Sequence, residues 1–228
     1  MNKTIAAILA LGAALLSCSP EKDRTTQISG TFSGDNVPDS VDIQYWTTPE
    51  ESPIKTIRIP VTDGRFEAEI SSRITQFSEV LIPGDIVAFI ADGSTLAIDM
   101  ETHKVTSSDP EGVQSRFNAW RQEWLDFEQE SVQKNYAQEE YHEGLVAIHR
   151  NAIQQNPDNI TGAMALSALE GLDPKVALSL VGTLSEEMTQ NATVQAILPT
   201  LEARARTSIG DMFTDFEVVQ DPPIRTPR

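Results

Sequence analysis

Apolar and polar residues alternate along the first half of this chain and recur every three or four residues along the second. Ile28-Ser29-Gly30-Thr31-Phe32, Val41-Asp42-Ile43-Gln44-Tyr45-Trp46, Ile57-Arg58-Ile59-Pro60-Val61 and Phe66-Glu67-Ala68-Glu69-Ile70 each place apolar side chains on one face of an extended strand. Further strands are expected at Glu79 to Ile82, Ile86 to Ala91 and Thr95 to Met100. Asp63-Gly64 is a hairpin signal, and Asp92-Gly93 forms another turn. Short strands at about ten-residue spacing, with no helix between them, predict an antiparallel β-sandwich or open barrel. Pro60 has no backbone N–H to give a ladder, so its strand belongs at an edge or carries a bulge.

The period changes at Asp109-Pro110-Glu111, which reads as a helix start with Asp109 as its cap. Val113, Phe117, Trp120, Trp124 and Phe127 then form one helical stripe, and Tyr141, Leu145, Ile148 and Ala152 form a second. Asn156-Pro157-Asp158 breaks the pattern. Ile160 to Leu169, Asp173 to Leu180 and Ala192 to Arg206 are three more expected helices. The reading is an α+β protein: a β domain over 27–107, then a small helical domain over 108–206.

Charge and cysteine content narrow the chemistry. Seventeen Lys and Arg face 34 Asp and Glu, a formal net charge of −17. That balance excludes a basic nucleic-acid footprint and a charge-based hold on anionic lipid. The single cysteine, Cys18, excludes an internal disulfide, a Cys-x-x-Cys pair and a Cys-rich zinc site within these residues.

Cys18 has a different context. Lys3 precedes an apolar run, Ile5 to Leu16, that is shorter than the ~20 residues of a bilayer span but fits the core of a signal peptide. Leu15-Leu16-Ser17-Cys18 resembles the bacterial lipobox. The resemblance implies a lipoprotein signal peptide over 1–17 and acylation of Cys18 as the new N-terminus. The acyl chains, at ~0.8 kcal/mol per buried CH₂, would anchor it to a membrane. Residues 18–26 read as a polar tether. The expected location is the bacterial cell envelope, at the outer membrane.

Catalytic chemistry is hard to find. Glu139 and His142 share a helix face, but di-iron bundles need that spacing twice with two more carboxylates, so no metal site is assigned. His149 lies two helical turns beyond His142, too far to share a metal with it. There is no Gly-rich phosphate loop, no HExxH and no GxSxG. No catalytic residue and no cofactor are assigned. Trp120 and Trp124 read as core, with Trp46 and that pair kept as candidate contacts for a carbohydrate or aromatic ligand.

The order of parts resembles one family. A lipobox, a β domain containing Val61-Thr62-Asp63-Gly64-Arg65-Phe66, and the stretch Phe89 to Asp99, similar to that domain's closing hairpin, are followed by a helical arm. This resembles the N-terminal domain of unknown function of TlpA/ResA-like thiol-disulfide oxidoreductase lipoproteins. Gly210-Asp211-Met212-Phe213-Thr214-Asp215-Phe216-Glu217-Val218 is similar to the lead-in of their thioredoxin domain. Where the family continues into Trp-Cys-x-x-Cys, this sequence has Asp221-Pro222-Pro223-Ile224-Arg225-Thr226-Pro227-Arg228. Residues 207–228 are therefore expected to be a disordered tail. Thiol exchange needs an attacking and a resolving thiol, and a lipidated Cys18 leaves neither. The expected function is a non-catalytic envelope lipoprotein similar to the accessory module of that family, with an envelope protein as partner. The alternatives are a truncated fragment of a whole oxidoreductase and an independent ligand- or glycan-binding lipoprotein.

Overall fold

The structure is a computed structural model that describes residues 24–34, 36–45 and 55–207. Cys18, Trp46 and the expected tail beyond Thr207 lie outside the described residues. Eight strands come first: β1 (Arg24–Thr31), β2 (Ser40–Tyr45), β3 (Lys55–Pro60), β4 (Arg65–Ser72), β5 (Gln76–Ile82), β6 (Asp85–Ala91), β7 (Thr95–Asp99) and β8 (Lys104–Ser107). Helices follow: α1 (Val113–Lys134), α2 (Gln138–Gln155), α3 (Ile160–Leu172), α4 (Pro174–Val181), α5 (Glu186–Thr189) and α6 (Ala192–Arg206). The fold is α+β, with the sheets N-terminal and the helices C-terminal.

The strands form two four-stranded sheets, ordered β4-β1-β7-β8 and β3-β2-β5-β6. Alternation along each strand turns one row of side chains inward. Ile28, Phe66, Ile70, Leu96 and Ile98 of the first sheet join Val41, Ile43, Val80 and Phe89 of the second in one core. The result is a sandwich rather than an open barrel. Gly30 faces Phe66 across the β1–β4 ladder, and the Phe66 ring occupies the space a β-carbon there would need, within 2.1 Å of two ring atoms.

Several expectations change at this level. The sheets are antiparallel except that β1 and β7 run parallel, with Gln27 opposite Thr95. A parallel pair far apart in sequence leaves no turn signal between its strands to announce it. Asp63-Gly64 does form a tight turn, both residues at positive φ (51° and 72°), closed by Thr62 and Arg65. Beyond it the chain does not continue as a hairpin, because β3 and β4 enter different sheets. The turn at Asp92-Gly93 likewise carries β6 of one sheet into β7 of the other, so Phe89 to Asp99 is a crossing and not a closing hairpin. β8 and the short α5 were not expected; Lys104-Val105-Thr106-Ser107 has one apolar residue and so no alternation to read. β1 begins at Arg24, inside the segment read as tether, because Thr26 is buried and its hydroxyl accepts the Gly93 N–H at 2.9 Å. Pro60 lies on β3, an edge strand, as its missing N–H requires.

The helices enclose a second core. Phe117 and Trp120 of α1 and Val146, Ile148, Ala152 and Ile153 of α2 share one core with α3, whose Ala163, Ala165, Leu166 and Leu169 are buried. α3 is apolar around most of its circumference because its neighbours cover it on several sides. Asn159, Asp173, Ser185 and Asn191 each cap the helix that follows by accepting a backbone N–H. Asp109 does not cap α1. It accepts the Glu111 N–H in the preceding turn, and the α1 amide of Gln114 is taken by Asp92 of the sandwich at 3.1 Å.

That exchange joins the two halves. Gln114, fully buried, accepts the Ile90 N–H through its side-chain oxygen and donates to Asn118 at 2.7 Å. Asn118 then donates to the Val105 carbonyl at 2.7 Å. β6 and β8 are edge strands of the two sheets, so α1 covers both edges on one side of the sandwich and satisfies backbone groups left over from their ladders. Ile90 is buried in the helical core, with Phe77 of β5 packed beside it, so the two cores abut there.

Candidate functional site

Trp120 and Trp124 are brought together with His149, which sequence reading weighs only as a metal partner of His142. Trp120 is 6% exposed and donates its indole N–H to His149 Nδ1 at 3.2 Å. Trp124 is half-buried, meets the same imidazole edge-on at 5.0 Å between ring centres, and donates its own N–H to Glu128 at 2.9 Å. Tyr141 donates to the same Glu128 oxygen at 3.0 Å. The rings and their polar tips are spent on one another across the α1–α2 interface. The pair serves the core.

His149 is 1% exposed in that cluster, and burial pushes its pKa down to about 4. Accepting the Trp120 proton at Nδ1 requires a neutral ring, which agrees with that direction. Glu139 and His142 are both exposed on the outer face of α2. Among the described residues no group of three or more His, Cys, Asp or Glu is placed to hold a metal. No described helix is long and apolar enough to cross a membrane. Asp85, the first residue of β6, and His103, in the turn before β8, make a surface contact at 2.6 Å between side chains.

A concavity lies elsewhere, between the sandwich and the helices, with a volume of about 510 Å³. Its size falls in the range of small-molecule sites. One wall comes from the start of β1 and the β4–β5 turn, where Arg24 donates to Thr75 Oγ1 at 2.7 Å and Arg73 follows β4 directly. The other comes from the α2–α3 loop, α5 and the start of α6, and it carries Asp158 and Glu187. Between them Phe77, Val113 and Met164, half-buried, present apolar surface, with the buried Met188 beside them. The cleft therefore has arginines on its sandwich side, carboxylates on its helical side and an apolar lining. All four charged side chains are exposed at its rim.

Sequence reading missed this cleft entirely. Asn156-Pro157-Asp158 reads as a helix break, but nothing local says that this break faces Arg73 across a gap. Neither Trp120 nor Trp124 lines it. Comparison with protein-family models, curated proteins and solved structures yields no match for this chain.

Proposed function

We propose that this protein is a non-catalytic, lipid-anchored protein of the bacterial cell envelope, similar in role to the accessory module of TlpA/ResA-like lipoproteins. The observation that carries this reading is Cys18: the one cysteine in 228 residues directly follows Leu15-Leu16-Ser17 and a short apolar run. A sandwich followed by a helical unit is also the order of parts that the family resemblance implies, which supports it. With Cys18 acylated, these residues hold no thiol for disulfide exchange.

Cys18→Ala tests the anchor. The variant is expected to leave the membrane fraction or to retain an unprocessed leader, read by fractionation and intact mass. Unchanged partition and mass overturn the reading. Residues 19–228, which keep all of β1, are expected to give no insulin-reduction turnover above a protein-free blank. The ligand-binding reading is favoured by one specific observation, the cleft between the sandwich and the helices.

A further inference from the structure

We infer that the cleft between the sandwich and the helical half binds a short apolar peptide with both termini free. Charge placement is the argument. Arg24 and Arg73 stand on the wall built from β1 and the β4–β5 turn, whereas Asp158 and Glu187 stand on the wall built from the α2–α3 loop and α5. A simple anion would meet two carboxylates as well as two guanidiniums, and a simple cation the reverse. A zwitterion with separated charges is served by both walls at once. Its carboxylate faces guanidinium groups whose planar donors suit it, and its ammonium group faces the carboxylates.

The space between the walls specifies the body of the ligand. Phe77, Val113 and Met164 are only half-buried and turn apolar surface into the cleft, with Met188 completing the lining. Two of these four are methionines, whose unbranched, polarizable side chains adapt to differently shaped apolar groups. That lining fits several apolar residues in succession better than one rigid ring system. Neither wall is complete without the other half of the molecule, and the Gln114–Asn118 bonds to Ile90 and Val105 hold α1 against the sandwich beside the cleft. The site is thus a product of how the two halves join.

Isothermal titration of the purified chain with trileucine, trileucine amide and N-acetyl-trileucine amide tests this. Trileucine is expected to bind at one site, and the doubly blocked peptide at least roughly tenfold more weakly, about the sum of two exposed charge pairs. Arg24→Gln with Arg73→Gln is expected to weaken trileucine while leaving trileucine amide unchanged. Asp158→Asn with Glu187→Gln is expected to abolish the preference for a free amino terminus. These rim residues are exposed, and an unchanged thermal melt confirms that each variant is folded. The inference fails if trileucine shows no saturable binding at millimolar concentration, if blocking both termini costs nothing, or if neither double variant changes the preference. It stands independently of the lipid anchor, because membrane fractionation and peptide titration can fail separately.

Discussion

Asp92 and Gln114 hold each other across the junction of sheet and helix. Asp92 Oδ2 accepts the Gln114 backbone N–H at 3.1 Å, while the Gln114 side chain accepts the N–H of Ile90, two residues before Asp92. The loop thereby caps the helix and the helix seals the strand. Ser94 fixes the other Asp92 oxygen, donating to it from its backbone at 3.0 Å and from its hydroxyl at 2.5 Å, so the carboxylate is held before the helix reaches it.

Replacing Gln114 with Leu keeps the volume but orphans the Ile90 N–H in a buried position and removes the donor that orients Asn118. A loss of ~1–3 kcal/mol is expected, the cost of an unsatisfied buried group. Urea unfolding should show a lower midpoint with an unchanged slope. Asp92→Ala should cost ~1 kcal/mol, as for other lost helix caps. A Gln114→Leu variant as stable as the parent would show that these bonds add nothing to the joint.

His149 makes stability depend on pH. Burial pushes its pKa down to about 4, against an ordinary value of 6.5 in the unfolded chain. Between those values the unfolded state binds the proton and the folded state does not. The stability held by the neutral ring is therefore complete above pH 6.5 and drains away as pH falls toward 4. One proton sets an upper limit of ~1.4 kcal/mol per pH unit on the slope. Stability measured from pH 7.5 to pH 5 should fall in the parent and lose that slope in His149→Leu.

Two glycines in α3 should respond oppositely to alanine. A β-carbon at Gly162 would lie 2.0 Å from the backbone oxygen of Asn156, which cannot yield without moving the α2–α3 loop. Gly162→Ala should cost ~1–3 kcal/mol through overpacking. Around Gly171 nothing lies within 4 Å of that position. Gly171→Ala should add roughly 0.5–1 kcal/mol by stiffening the unfolded chain and improving helix propensity. Thermal melts of the pair give the two signs directly.

Tyr141 should titrate abnormally high. Its hydroxyl donates to Glu128, and that bond to a carboxylate, with some burial and the negative charge itself, raises its pKa above 10. Glu128→Gln should bring the phenol back toward its ordinary value, as read by ultraviolet absorbance on alkaline titration. Because Glu128 also accepts the Trp124 indole N–H, the same variant should alter tryptophan fluorescence.

The elements of this fold were largely legible, and their partners were not. Period-two and period-3.6 spacing located the strands around Ile28, Ile43 and Phe66 and the stripe from Val113 to Phe127, since each depends on residues a few positions apart. The reading of Trp120 and Trp124 as core also rested on local spacing. Asp109 looked like a cap from local chemistry alone, yet Asp92 reached the Gln114 amide from another element. The cleft was illegible for the same reason. Arg73 and Asp158 are ordinary surface residues until the fold sets their loops on facing walls.

The parallel partnership of β1 with β7 has a consequence for when the sandwich can come into being. Gln27 has no parallel neighbour until Thr95 has been synthesised, and β4 is its only earlier ladder. During synthesis, β1 therefore waits half-paired while most of the sandwich emerges. Closing that long loop is an entropic barrier that locally connected helices do not meet. Refolding should accordingly be governed by the arrival of β7 against β1, with α1 unable to seal the β6 and β8 edges until β8 has joined β7.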